Sequence, residues 1–376
     1  MSTIFRSAVL AAMSLGFAVA PATAQEASIL SESTVIGQNF GYPTGTPGQD
    51  TGETGTTDFV AELAVFFKNH ELLNLGEIEG ETFFGVLAPV RFRHYASETV
   101  TVELGAVLGQ NFGDEDSLDE INALIRIAFE PADNMHIIGG TLIPTHWTHD
   151  ALYDDVQKFR DLTEQGLQWR VDRENWKQDT WINWRIREGE IDAEEFEVGN
   201  ATQLRFFEDR FRLDGQLHWA HAGGQISLSP RVENNLAVMA GMSWGFAQDL
   251  DIDLIDDLRI GAAAFYSSDD TKQTDQVNGD AWEVSAVMDL RPSEGTLVRI
   301  DASYFNGSDY LARRGDPLYT LEDYAQLGAT GIWSLGENGR IEAGAVWQGT
   351  EDHSNYTAQV NLIWGTAFIA DAIVRR

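Results

Sequence analysis

The chain has 376 residues, with 59 Asp and Glu against 25 Lys and Arg and a formal net charge of −34. So acidic a chain has the wrong sign for phosphate backbones, which excludes nucleic acid as a partner. It contains no cysteine, so packing and backbone hydrogen bonds alone must hold it.

Taken in order, residues 1–24 read as an export signal. Arg6 supplies the positive start, Ala8 to Ala20 the short apolar core, and Ala22-Thr23-Ala24 the small-residue cleavage site before Gln25. Losing this segment removes one cation and no acid, so the mature charge is −34 − 1 = −35. No other apolar run approaches the roughly 18 residues of a transmembrane helix. Residues 25–57, with Gly41, Gly45, Gly48, Gly52 and Gly55, read as a flexible leader.

From Asp58 to Phe368 the pattern has period two. Val100, Val102, Leu104, Ala106 and Leu108 alternate with Thr101, Glu103 and Gly105; Trp282, Val284, Ala286, Met288 and Leu290 alternate with Glu283, Ser285 and Asp289. Each such segment is a strand with one apolar and one polar face. The count is roughly sixteen strands of about 10 residues, the length a tilted strand needs to cross a bilayer. Residues 58–376 therefore read as one all-β domain, a transmembrane antiparallel β-barrel.

The connections alternate in length. Long polar stretches such as QNFGDEDSLDE and GSDYLARRGDPLYTLEDY follow odd strands, and short turns such as Ala96-Ser97 and Pro131-Ala132-Asp133 follow even ones. Two connections break this rule: Glu188 to Asp192 is short where a long loop is due, and Ala247 to Asp257 is long where a turn is due. Trp219, Trp282, Tyr304, Trp347 and Tyr356 lie near the long-loop ends, and Trp244 and Trp333 near the short-turn ends. Two aromatic rings at those heights match lipid headgroup levels.

The longest interruption is Pro144 to Gln165. It places His146, Trp147 and His149 within four residues, then Leu152, Val156, Phe159 and Thr163 at helical spacing, with Asp150 as the expected cap.

In this alternation and in its export signal the chain resembles bacterial outer-membrane porins. The resemblance implies a Gram-negative outer-membrane location among lipid and lipopolysaccharide, a homotrimer, and a third long loop folded into the lumen as a constriction. By the strand count, Pro144 to Gln165 is that loop. Asp150, Asp154 and Asp155 on it would then face a wall bearing Arg91, Arg93, Arg126, Arg170 and Arg185, setting a field across the pore. The chain departs from typical porins in ending on IADAIVRR after Phe368 rather than on an aromatic residue.

Other chemistry is weaker in the residues. His146, His149 and Asp150 are nitrogen and oxygen donors of a kind that bind metals, but a loop does not fix their facing. His218 and His221 must point to opposite faces of one strand. The acidic loops share only composition with calcium sites, and no G-x-S-x-G occurs. The sequence thus leads to a porin-like channel for passive diffusion of small polar solutes or ions, with no cofactor and no enzymatic activity. The alternatives are a non-channel barrel with a binding, export or structural role, and a barrel enzyme acting on lipid or glycan.

Overall fold

The computed structural model describes residues 52–71, 80–113, 120–190, 192–224, 232–250, 252–271, 276–335, 339–350 and 354–369. The export signal, most of the leader and the C-terminal IADAIVRR beyond its first residue lie outside them. Sixteen strands run β1 (Thr57–Glu71), β2 (Glu81–Ser97), β3 (Val100–Asn111), β4 (Glu120–Ala132), β5 (Met135–Thr141), β6 (Gln165–Arg173), β7 (Trp176–Ile186) and β8 (Glu194–Phe206). They continue as β9 (Phe211–Gly223), β10 (Glu233–Gly245), β11 (Ile255–Thr271), β12 (Val277–Ser293), β13 (Thr296–Ser308), β14 (Asp323–Ser334), β15 (Gly339–Gly349) and β16 (Ser354–Ile369).

Every neighbouring pair is antiparallel, and β1 pairs with β16, so the sheet closes into a barrel with no free edge. Closure satisfies each strand's backbone groups, as a hydrocarbon surround demands. The two irregular connections do not alter the count. The long one on the short-turn rim contains a helical turn, α2 (Ala247–Leu250), before β11 begins.

The period-two pattern sorts the side chains inside out. Ile121, Ile125, Leu167, Met242 and Ile260 are each more than half exposed on the outer face, whereas Arg91, Glu103, Arg126, Asp179 and His218 are buried in the lumen. That inversion suits a barrel bathed in lipid. Several strands outrun the segments read from alternation. β11 and β12 extend through Ser267-Ser268-Asp269-Asp270 and Val277-Asn278-Gly279, because ladder hydrogen bonds do not require an apolar face once a strand leaves the membrane.

One polar patch interrupts the outer wall. Gln178 and Thr180 on β7 and Asn200 and Thr202 on β8 hydrogen-bond to one another at 2.6–3.1 Å, which lowers the cost of placing them there.

β5 is the shortest strand, and its end turns the chain inward. Gly140 adopts φ +98°, and a Cβ there would lie 2.1 Å from the Ile125 carbonyl oxygen. Only glycine combines that dihedral with so close an approach. Leu142 N then donates to Glu164 O at 2.9 Å, drawing the two ends of the following loop together. Within that loop the helix is shorter than expected: α1 spans Gln157–Arg160 with Val156 at its N-cap, and Asp150 caps nothing. Asp150 O, Ala151 O and Asp154 N instead bond to a second loop, while Leu152 N and Tyr153 N donate to His149 O.

Candidate functional site

The loop between β5 and β6 crosses the lumen, pinned at each step by buried polar side chains. His146 sits between two carboxylates, Nδ1 2.9 Å from Asp179 Oδ2 and Nε2 2.6 Å from Glu164 Oε2. Its ring stacks on Trp181 at 3.6 Å. Burial alone would lower the imidazole's pKa, but Glu164 and Asp179 outweigh it and raise it to about 9. His146 is therefore an imidazolium at neutral pH, tying the loop to β7.

Trp147 lies beneath two cations, Lys177 Nζ at 3.9 Å and Arg170 Cζ at 4.6 Å from its ring centre. His149 accepts from Ala151 N through Nδ1 at 3.0 Å, which leaves Nε2 to donate to Glu283 Oε1 at 3.3 Å. His146, Trp147 and His149, which fit no pattern in the sequence, are the pins. The two imidazoles reach different partners, and among the described residues no group of three or more His, Asp or Glu is arranged to hold a metal.

A second inward loop, residues 309–322 between β13 and β14, locks onto the first. Tyr310 Oη donates to Ala151 O at 3.0 Å, Asp154 N to Arg314 O at 2.7 Å, and Asp316 N to Asp150 O at 2.8 Å. A short 3-10 turn, Pro317–Thr320, is capped by the Asp316 carboxylate accepting from Leu318 N. Leu152, Tyr310, Leu318 and Tyr319 pack with Phe265, Phe305 and Tyr324 of the wall and fill the lumen beside β10–β14. Val156, Phe159 and Leu162 fill it beside β1–β4, against Phe66, Leu87, Val107 and Leu124. In the sequence, 309–322 stands only among the long connections that follow odd strands; its apolar Tyr310, Leu311, Ala312, Leu318 and Tyr319 are the available signal that it turns inward.

The acids and arginines singled out in the sequence meet other partners. Asp155 pairs with Lys68 of β1, and Asp154 Oδ1 accepts from Val156 N at 3.1 Å. Arg91, Arg93 and Arg126 converge on Glu103, at 3.2, 2.7 and 2.8 Å, and Arg91 also reaches Glu62 at 2.5 Å. Arg126 further donates to the carbonyls of Thr141 and Leu142, each at 2.8 Å, holding the loop's stem. Arg170 lies 4.0 Å from Asp179, and Arg185 lies 3.4–3.8 Å from Asp161, Glu195 and Glu197. Lys68, Glu103 and Asp179, absent from the sequence-based set, complete these pairs.

Between the two loops and the far wall a narrow cavity remains, of about 40 Å³. It is bordered by Asp150, Asp155, Asp316 and Tyr319 of the loops on one side, and by Lys68 of β1 with Gln326, Gly344, Val346, Gln348, Thr357 and Gln359 of β14–β16 on the other. Burial and the neighbouring Asp155 and Asp154 carboxylates push the Asp150 pKa well above the usual carboxylate range.

On the outer face at the long-loop rim, His221 packs against Phe196 and Trp219. Its Nδ1 lies 2.8 Å from Asn234 Oδ1. Because that oxygen only accepts, Nδ1 carries the proton and Nε2 is left as a base. His218, three residues away, is fully buried in the lumen.

Among the solved structures that this one resembles are outer-membrane proteins. In-vitro folded OmpT of Vibrio cholerae shares 10% identity over 84% of this chain and 98% of its own, with a TM-score of 0.52. The anion-selective porin from Comamonas acidovorans shares 7% over 83% of this chain and 99% of its own, at 0.51. At such identities the likeness establishes the fold, an outer-membrane β-barrel. No curated protein sequence matches the chain. The profile of a family described as lipid A 3'-O-deacylase-type matches residues 49–350. A family named for an enzyme overturns the expectation, drawn from the missing serine motif, that the chain has no enzymatic activity; a motif search finds only nucleophiles in known local contexts. With most of its length matched, the chain belongs to the lipid A 3'-O-deacylase-type family.

Proposed function

We propose that the barrel is a channel through which small polar solutes or ions pass between its inward loops and the β14–β16 wall. The carrying observation is the distribution of filling: apolar clusters close the lumen beside β1–β4 and β10–β14, and a polar cavity is left beside β14–β16. A plugged structural barrel has no reason to leave one wall lined by Gln326, Gln348, Thr357 and Gln359. The porin-like fold supports the same reading. Val346 borders the cavity, so Val346→Trp should at least halve the conductance of the purified protein in a planar bilayer. Absence of steady open-channel current in the wild type would sink the reading.

Family membership favours a second activity on the outer face, hydrolysis of an acyl ester of lipid A in the outer leaflet. His221, oriented by Asn234 and level with the aromatic ring, is the general base in this reading, taking a proton from the water that attacks the ester carbonyl. Mass spectrometry of lipid A incubated with the protein would show loss of an acyl chain, and His221→Gln would abolish it. Intact lipid A after incubation with the wild type would count against this reading.

For the assembly we propose a homo-oligomer, as in the Vibrio cholerae OmpT structure described as a trimer form. The outer faces of β1–β5 carry Phe, Ile, Leu, Val and Ala but no Trp or Tyr; Tyr95, the one such residue in these strands, is buried in the lumen. From β6 onward the girdle is present, with Trp169, Trp176, Trp184, Trp219, Trp244, Trp282 and their successors. A wall without headgroup-anchoring rings suits a protein neighbour better than lipid.

A further inference from the structure

We propose that the passage beside β14–β16 conducts small cations in preference to anions. The inference rests on the channel reading and adds to it the sign and size of what passes.

The sign follows from which charges border the cavity and which do not. Asp150, Asp155 and Asp316 face it with Lys68 as the one cation, and Lys68 is already paired with Asp155. The arginines that would oppose these acids are spent elsewhere. Arg91, Arg93 and Arg126 bind Glu62 and Glu103, Arg170 faces Asp179, and Arg185 faces Glu195 and Glu197. Of the second loop's cations, Arg313 pairs with Asp269 and Glu233 and Arg314 with Glu197. The border therefore carries an excess of negative charge even with one carboxyl protonated.

A second observation lies on the opposite wall. Lys68, Gln359, Gly344 and Thr330 stand in one row across β1, β16, β15 and β14. Gln359 is 3% exposed, yet its Nε2 has no partner, and Thr330 Oγ1 in the same row has none. Asn361 Oδ1, two residues along β16, is likewise unpaired. Buried amide and hydroxyl groups left open along one wall call for water or a solvated ion to complete them. A Cβ on Gly344 would come 2.5 Å from Thr330 Oγ1, so glycine keeps the row open.

Size narrows the class further. About 40 Å³ accommodates roughly three water molecules, which suits a partly hydrated monovalent cation. Charges and neutral dipoles lining a constriction of that width act on a permeant ion at close range.

The test is the reversal potential of the full-length protein in a planar bilayer under a KCl gradient. The wild type should be selective for potassium over chloride. Asp316→Asn should lower the permeability ratio by roughly tenfold or more, since a unit charge about 5 Å from the path in water acts about fourfold on the cation and about fourfold in the opposite sense on the anion; asparagine keeps the cap on Leu318. Gln348→Lys, on the neutral wall and outside the loop packing, should shift the ratio the same way and guards against misfolding of the loop variant. A chloride-selective or non-selective wild type, or a ratio unchanged in both variants, would overturn the inference. Absence of current in the wild type would instead remove the channel reading on which it stands.

Discussion

At the scale of the residue, His146 decides how firmly the inward loop is held. Its folded pKa of about 9 exceeds the ordinary 6.5, so its contribution is fully present below pH 6.5 and is lost as pH rises through 9. The gap corresponds to a contribution on the order of 3 kcal/mol. Holding the protein above pH 9 should therefore loosen the loop, seen as a change in Trp181 fluorescence and as noisier current, with the barrel's circular dichroism unchanged. His146→Gln should abolish that transition and destabilise the loop at neutral pH by about 3 kcal/mol, since it takes the imidazolium from buried Glu164 and leaves Asp179 only Arg170 at 4.0 Å. The sequence displayed His146, Trp147 and His149 but not their roles, because Asp179, Trp181 and Lys177 reach them only when β7 closes beside the loop. A raised Asp150 pKa has the opposite consequence for charge: its proton is retained to higher pH than usual, and cation preference should grow as pH rises.

At the scale of the element, the lumen is filled by two loops rather than one. Pro144 to Gln165 was legible as the longest break in the strand pattern, and the resemblance to porins implied that it turns inward; in the structure the loop is residues 142–164. Residues 309–322 were not legible as inward, because a loop that packs on another loop leaves no periodic trace. Their union through Tyr310, Asp154 and Asp316 makes a specific expectation. Deleting residues 146–160 should raise single-channel conductance severalfold while the barrel keeps its heat-modifiable gel migration, since the sixteen-strand ladder is independent of both loops. Unchanged conductance would place the conducting path elsewhere. Tyr310→Phe, which removes only the bond to Ala151 O, should cost about 1 kcal/mol and leave conductance near the wild-type value.

At the scale of the whole molecule, the outer wall is divided between a sector with an aromatic girdle and one without. If β1–β5 meet another copy, a Phe92→Cys variant should cross-link between protomers in membranes, and a Trp282→Cys variant should not; the reverse pattern would move the interface to the girdled side. Phe92 is about half exposed in the single chain, so the sulfhydryl would be reachable. The sequence by itself pointed to the barrel: a period of two fits any sheet with one apolar and one polar face, and it was the strand length of about ten residues, the alternation of long and short connections and the two aromatic rings that favoured a wall with lipid on one side and water on the other. It also put the acids of one loop and the arginines of the wall on the lumen side. Only the tertiary structure decided which of those charges meet, because pairing between strands distant in sequence depends on register and on how far each loop descends. That is why Arg91, Arg93 and Arg126 belong to Glu103 and the loop stem, and why the carboxylates of Asp150, Asp155 and Asp316 border the cavity beside β14–β16 with Lys68 as the one cation beside them among the described residues.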